Sequence, residues 1–345
     1  MRFFRGSVLV TVLGLLLGAY LGWQQSRTLQ GTLSTLFIVS VLAVLEVSLS
    51  FDNAVVNAAV LRQMDHVWRR RFITWGIAIA VFGMRIVFPL VIVAVLGRLS
   101  PWEALVMAAT DPERYSETLL AAHVTLAAFG GAFLAMVGLK HFFDHEKELH
   151  WIHVLEAPLA KLGRIEAVAI ACVLVMLWGI SMWLPAHEKL EFLLAGIAGV
   201  VTFIATDGLA ASLDPGWKAG EQLARSGLGA FMYLEVLDAS FSFDGVIGAF
   251  ALSNNLFVIA IGLGVGAMFV RSLTIMLVEK GTLAEYPYLE HGAFWAIASL
   301  GVIMFLQTVL EIPEVVTGLI GAAFIGFSFH SSLRHNRKQA NGEPG

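Results

Sequence analysis

Glu46-Val-Ser-Leu-Ser-Phe-Asp-Asn53 and Asp238-Ala-Ser-Phe-Ser-Phe-Asp-Gly245 are two readings of one eight-residue pattern, 238 − 46 = 192 residues apart. In register, Glu46 meets Asp238, Ser48 meets Ser240, Ser50 meets Ser242, Phe51 meets Phe243 and Asp52 meets Asp244. The correspondence runs on: Gly76 precedes Arg85 by nine residues, and Gly262 precedes Arg271 by nine. The repeated unit is a helix pair with acids on the first helix and one arginine on the second. Both copies lie in strongly apolar surroundings, where an ionised carboxylate costs roughly 2.5–3.5 kcal/mol on insertion scales. Acids kept there in two matching places call for a compensating partner.

The rest of the chain explains those surroundings. Of 345 residues, 58% are hydrophobic and 14% charged, and the mean hydropathy is +0.78. A water-soluble domain of this size does not carry such a balance. Windows of about 20 apolar residues, the length that crosses a ~30 Å hydrocarbon core, fall at 7–24, 33–61, 72–97, 119–140, 165–184, 190–207, 229–252, 256–278, 293–310 and 314–331. The expectation is an all-α, polytopic membrane protein of about ten transmembrane helices. With both termini cytoplasmic, 16 of the 22 Lys and Arg fall in inner segments and four in outer ones. Arg85 and Arg271 stay in the membrane, and the asymmetry is that of a plasma-membrane protein with both ends inside. The first span follows Arg2 and Arg5, and no small-x-small site precedes Trp23, so it reads as a retained anchor over 1–30. A membrane domain over 31–333 and a disordered, basic cytoplasmic tail over 334–345 complete the expected organisation.

On this topology the span 33–61 runs inward and 229–252 runs outward. Repeat one (33–140) and repeat two (229–331), with their helix pairs at 33–97 and 229–278, are therefore inverted copies, with peripheral helices over 165–207. Inverted repeats recur in secondary transporters, which place substrate sites near the midplane at the repeat interface.

Within each motif the acids are six residues apart, about 120° around a straight helix, so they do not share a face. The Ser-x-Ser between them, with Asn53 or Gly245 just after, favours a locally unwound or kinked helix on which they converge. Glu46, Asp52, Asn53, Asp238 and Asp244, lined by Ser48, Ser50, Ser240 and Ser242, form an oxygen-only set. That chemistry suits Mn²⁺, Ca²⁺ or Mg²⁺ as a transported substrate rather than Zn²⁺ or Cu⁺. Arg85 and Arg271 supply ion pairs but cannot balance four acids, and Asp207 in Ile204-Ala-Thr-Asp-Gly208 adds a fifth. Bound cations or protons supply the remainder. The competing reading makes the arginines structural partners of Asp52 and Asp244.

The two motifs, with Glu235-Val-Leu-Asp238, Ser253-Asn-Asn255, Phe257 and Phe269-Val-Arg-Ser-Leu273, resemble the TerC family within the LysE-like transporter superfamily. The resemblance covers most of 33–331. It implies efflux of a metal such as manganese, or a role in tellurium-oxyanion resistance, with Glu46, Asp52, Asp238 and Asp244 as metal-site acids and Asn53 a further ligand. Gly245 stands where the family usually has Ser or Asn, and the chain is longer than a minimal seven-span member, which marks a divergent branch.

The segment Lys140–His153 holds His141, His145, His150 and His153 with Asp144, Glu146 and Glu148. It reads first as an amphipathic interfacial helix with a solvated charged face, and otherwise as a metal-gathering loop. Lys140 reads as a lysine snorkelling at a helix end. Membrane di-iron enzymes need several histidine boxes and this chain has one; no nucleophile–base pair or phosphate loop occurs, so no enzyme and no prosthetic group are expected. Nothing suggests nucleic acid. The expected partners are a divalent ion and the lipid bilayer, with a homo-oligomer left open. The alternative function is a sensing or scaffold component of a metal-stress system, for which the short soluble loops leave little docking surface.

Overall fold

In the computed structural model, which describes residues 2–144, 149–162, 167–212 and 227–340, the described residues are predominantly helical and include no strand. The helices are α1 (Arg5–Ser26), α2 (Leu29–Leu49), α3 (Phe51–Gln63), α4 (His66–Ala78), a π-helical segment (Ile79–Val87), α5 (Phe88–Gly97), α6 (Pro101–Thr110), α7 (Pro112–Leu120), α8 (His123–Phe142) and α9 (His153–Leu162). They are followed by α10 (Ala167–Ser181), α11 (Lys189–Ser212), α12 (Gly227–Ala249), α13 (Leu256–Lys280), α14 (Thr282–Glu285), α15 (Leu289–Gln307) and α16 (Glu314–Ala340). Among the described residues eight stretches are long and apolar enough to cross a bilayer: α1, α2, Ile79–Gly97, α8, α11, α13, α15 and α16. The protein is an all-α polytopic membrane protein.

The difference from ten expected spans has two sources. α12 is long enough, but it carries Glu235, Asp238 and Asp244, too much charge for a span recognised by apolar content. α10 is 15 residues in its described part, short of the ~20 that a bilayer needs. At the other end, α16 continues to Ala340, so residues 334–340 are helical where a disordered tail was expected. Arg337 and Lys338 in the last turn favour that extension by opposing the helix dipole. Asn336 Nδ2 also donates to the Glu285 carbonyl at 2.7 Å.

The chain divides into two compact units. Unit 1 comprises residues 1–50, 71–123 and 241–275. Its N-terminal helix buries only Ser7, Gly14, Gly18 and Gly22, a stripe of small residues at helical spacing that lets neighbouring backbones approach closely. A Cβ on Gly18 would meet Val39 of α2 at 3.2 Å, and one on Gly14 would meet Val265 of α13 at 2.7 Å. Ser7 closes the contact, its hydroxyl donating to the Met268 carbonyl at 2.8 Å. The opposite face of α1, with Leu9, Leu13, Leu16 and Leu17, is exposed, as a lipid-facing surface requires. The core of the unit gathers Leu42, Val93, Tyr115, Leu119, Phe250, Leu256 and Leu263.

The unit also contains the short helices α6 and α7. Ser100 and Glu103 form a capping box ahead of α6, and the Ser100 N–H and hydroxyl hold the Glu103 carboxyl below its ordinary range. Tyr115 of α7 is fully buried.

Unit 2 comprises 51–70, 124–240 and 276–345. α15 is central, buried from Leu289 to Phe305 along most of its length. Glycines set its approach to α8: a Cβ on Gly131 would lie 3.0 Å from the Gly301 carbonyl, and one on Gly138 would lie 2.7 Å from Ala298 Cβ. α3 is buried at every position from Asp52 to Leu61, the pattern of a helix enclosed on all sides.

Candidate functional site

The first motif is broken and the second is not. α2 ends at Leu49 and α3 starts at Phe51, with Ser50 at φ −103° and ψ 18° between them, the interruption that Ser-x-Ser led us to expect. α12 runs through Asp238–Gly245 without a break. There Ser240 returns its hydroxyl to the Val236 carbonyl at 2.9 Å, so the serine that favoured unwinding is absorbed by the helix itself.

In unit 1, Glu46 is 4% exposed and forms a buried ion pair with Arg85. Ser50 donates to the same carboxylate oxygen at 3.2 Å. Arg85 lies on the π-helical turn just before Pro89, whose missing N–H loosens the helix ahead of it. The guanidinium also donates to the Ala80 carbonyl, five residues back, at 2.8 Å. The Glu46 side chain is enclosed by glycines: a Cβ on Gly266 would meet Glu46 Cβ at 2.4 Å, and one on Gly245 would lie 3.4 Å from Oε2. Gly245, the departure from the TerC pattern, is where the chain passes beside this carboxylate. Arg271 stacks its guanidinium 3.9 Å from the centre of the Phe72 ring, a cation–π contact. The side chain of Asp244 lies outside the described residues.

In unit 2, Asp52 is 5% exposed. Its carboxylate accepts the Asn53 backbone N–H at 2.9 Å and has no cationic partner among the described residues. A Cβ on Gly321 would lie 3.5 Å from Asp52 Oδ2, so Asp52, like Glu46, has a glycine beside it. Asp238, 7% exposed, accepts from Asn57 Nδ2 at 2.8 Å. Asn53 and Asn57 are both buried, and neither side-chain oxygen has a hydrogen-bond donor among the described residues.

Several sequence assignments change. Arg85 pairs with Glu46, not with Asp52. Asp207 pairs with Lys140, which is an ion-pair partner rather than a lone snorkelling cation. Ser48 is exposed and donates to the Val44 carbonyl at 2.8 Å, so it does not line an acid. Ser240 is held by its own helix, whereas Ser242 is buried with its hydroxyl oxygen free of hydrogen bonds among the described residues.

The histidine-rich segment is not one amphipathic helix. α8 ends at Phe142 and α9 begins at His153; His145, Glu146 and Glu148 lie outside the described residues. His141 is buried and stacks on Phe294 with ring centres 3.5 Å apart. Among the described residues no three His, Cys, Asp or Glu side chains form a group able to hold a metal ion.

Sequence reasoning missed two polar centres. One is Asn57, hidden because Asn in an apolar run carries no charge to flag it. The other is Glu156 of α9, which accepts Trp151 N–H and Trp295 Nε1–H at 2.9 Å each, with His291 Nδ1 also at 2.9 Å. Burial alone pushes its carboxyl up, but the bonds from His291 and Trp295, the charge of His291 and the Ile152 N–H together hold it down at about 2. This centre was invisible in the sequence because His291 and Trp295 lie 135 and 139 residues away from Glu156.

No curated protein and no solved structure matches the chain. One family model does, over residues 51–339. Because that match spans most of the chain, the protein belongs to the family described as Protein of unknown function (DUF475).

Proposed function

We propose that this protein is a plasma-membrane exporter of a divalent cation, Mn²⁺ by preference, working by alternating access of its two inverted repeats. The observation that carries the reading is Asp52: a carboxylate 5% exposed, on a helix buried all round, with no cationic side chain paired to it among the described residues. In such a place the charge must be met by a proton or a metal ion. The available donors are oxygens, from Asp52, Asp238, Asn53 and Asn57, and hard divalent ions prefer that set. The TerC resemblance of the two motifs supports the same assignment.

In this mechanism the ion enters from the cytoplasm, is held by the acids of the repeated motifs, and is released outside as the repeats rock. Glu46 is already matched by Arg85, so Asp52 carries the exchangeable charge. Each charge moved outward against an inside-negative potential costs about 2.3 kcal/mol per 100 mV. A 2+ ion therefore needs a driving ion, and acids that release metal and accept protons make proton antiport the coupling. In this reading both termini are cytoplasmic, the orientation that the distribution of basic residues supports.

The test is elemental analysis of cells lacking their own manganese export and expressing either the wild type or Asp52→Asn with Asp244→Asn. Export predicts lowered cell manganese with the wild type alone, at equal membrane abundance. Unchanged divalent metals in both would leave the acids to a sensing or scaffold role.

A further inference from the structure

Asn53 and Asn57 stand one turn apart on α3, the i, i+4 spacing that puts two side chains on one face. The other buried positions of that helix are Ala, Val and Leu, together with Asp52. An amide carries two N–H donors and one oxygen acceptor. The Asn57 nitrogen is committed, donating to Asp238 Oδ1 at 2.8 Å. Since a carboxylate only accepts, this bond fixes which end of the amide is nitrogen and turns the oxygen to the other side of the group. That oxygen has no donor among the described residues, and neither has the oxygen of Asn53. A buried acceptor left bare is costly, and here there are two within one turn of a helix whose other buried positions, Asp52 apart, are apolar.

We propose that Asn57 is a ligand of the transported cation, offering its side-chain oxygen while its nitrogen holds Asp238 as the charged ligand beside it, with Asn53 as a second neutral oxygen. The proposal rests on the cation-export reading and adds to it a residue outside the repeated motifs. Its chemical consequence is a site of low charge count. Oxygen sites bind divalent ions more tightly as carboxylates replace neutral ligands, and a carrier must also let its ion go. Asn57 thus sets an affinity weak enough for release.

The test is equilibrium binding of Mn²⁺ to the detergent-purified full chain, followed by the electron paramagnetic resonance signal of free Mn²⁺, with thermal unfolding of the metal-free protein as a folding control. Asn57→Ala is expected to weaken binding by about tenfold or more, whereas Asn57→Asp, which adds a charged oxygen, is expected to tighten it. Asn53→Ala weakens binding in the same direction and decides the matter if Asn57→Ala does not fold. If Asn57→Ala and Asn57→Asp weaken binding alike, Asn57 merely positions Asp238 and the ligand assignment fails while export stands. Wild-type affinity in Asn57→Ala also overturns it. If the wild type itself binds no Mn²⁺, the export reading falls and this assignment with it.

Discussion

Glu46 and Arg85 form an ion pair in which each side chain is only 5% exposed, joining α2 to the π-helical turn of unit 1. Removing one partner of such a pair leaves a buried charge uncompensated, at a cost of about 3–5 kcal/mol. Arg85→Gln is therefore expected to lower the thermal midpoint of the detergent-solubilised protein sharply. The double variant Glu46→Gln with Arg85→Gln should recover much of the loss, and an additive double variant would show that the two charges do not depend on each other.

The glycines around that pair are predicted to differ in tolerance. Gly266→Ala puts a Cβ 2.4 Å from Glu46 Cβ and 2.8 Å from the Ala43 carbonyl, where backbone must move. Gly245→Ala meets only the Glu46 carboxylate, at 3.4 Å, an ordinary contact. Thermal unfolding should show a loss of about 1–3 kcal/mol for Gly266→Ala and near-neutrality for Gly245→Ala.

Glu156 should leave a signature in acid. Its carboxyl is held down at about 2 from an ordinary 4.5, so the folded state favours the ionised form. The stabilisation is complete above the unfolded value and is lost as pH falls from about 4.5 toward 2. Glu156→Gln, which cannot ionise, is expected to be less stable than the wild type at neutral pH and to show a flatter stability profile over that window. Parallel profiles would remove Glu156 from the account of acid sensitivity.

What the sequence disclosed and what it hid separate along a physical line. Hydropathy located eight of the ten expected spans, since apolar content reports burial in lipid directly. Of the repeated acids, Glu46, Asp52 and Asp238 are buried, and Ser-x-Ser marked the break at Ser50. The partners were not legible: Arg85 finds Glu46 at 39 residues' separation, and Asn57 finds Asp238 at 181. Periodicity says which face of a helix turns inward but not what lies across from it. Local propensity also misled where tertiary contacts prevailed, as in the unbroken α12 and the helical end of α16. In the latter, Asn336 donates to the Glu285 carbonyl at 2.7 Å and anchors a stretch that composition alone marks as a tail.

The central claim is that acids buried in this membrane domain carry a divalent ion across the bilayer in exchange for protons. Mn²⁺ flux into proteoliposomes holding the purified full chain, read with a metal-sensitive dye inside and a pH-sensitive dye in parallel, tests it most directly. Export by antiport predicts Mn²⁺ movement with opposite proton movement in the wild type, both abolished by Asp52→Asn. Vesicles in which the wild type moves no Mn²⁺, or moves it equally well after Asp52→Asn, would contradict it.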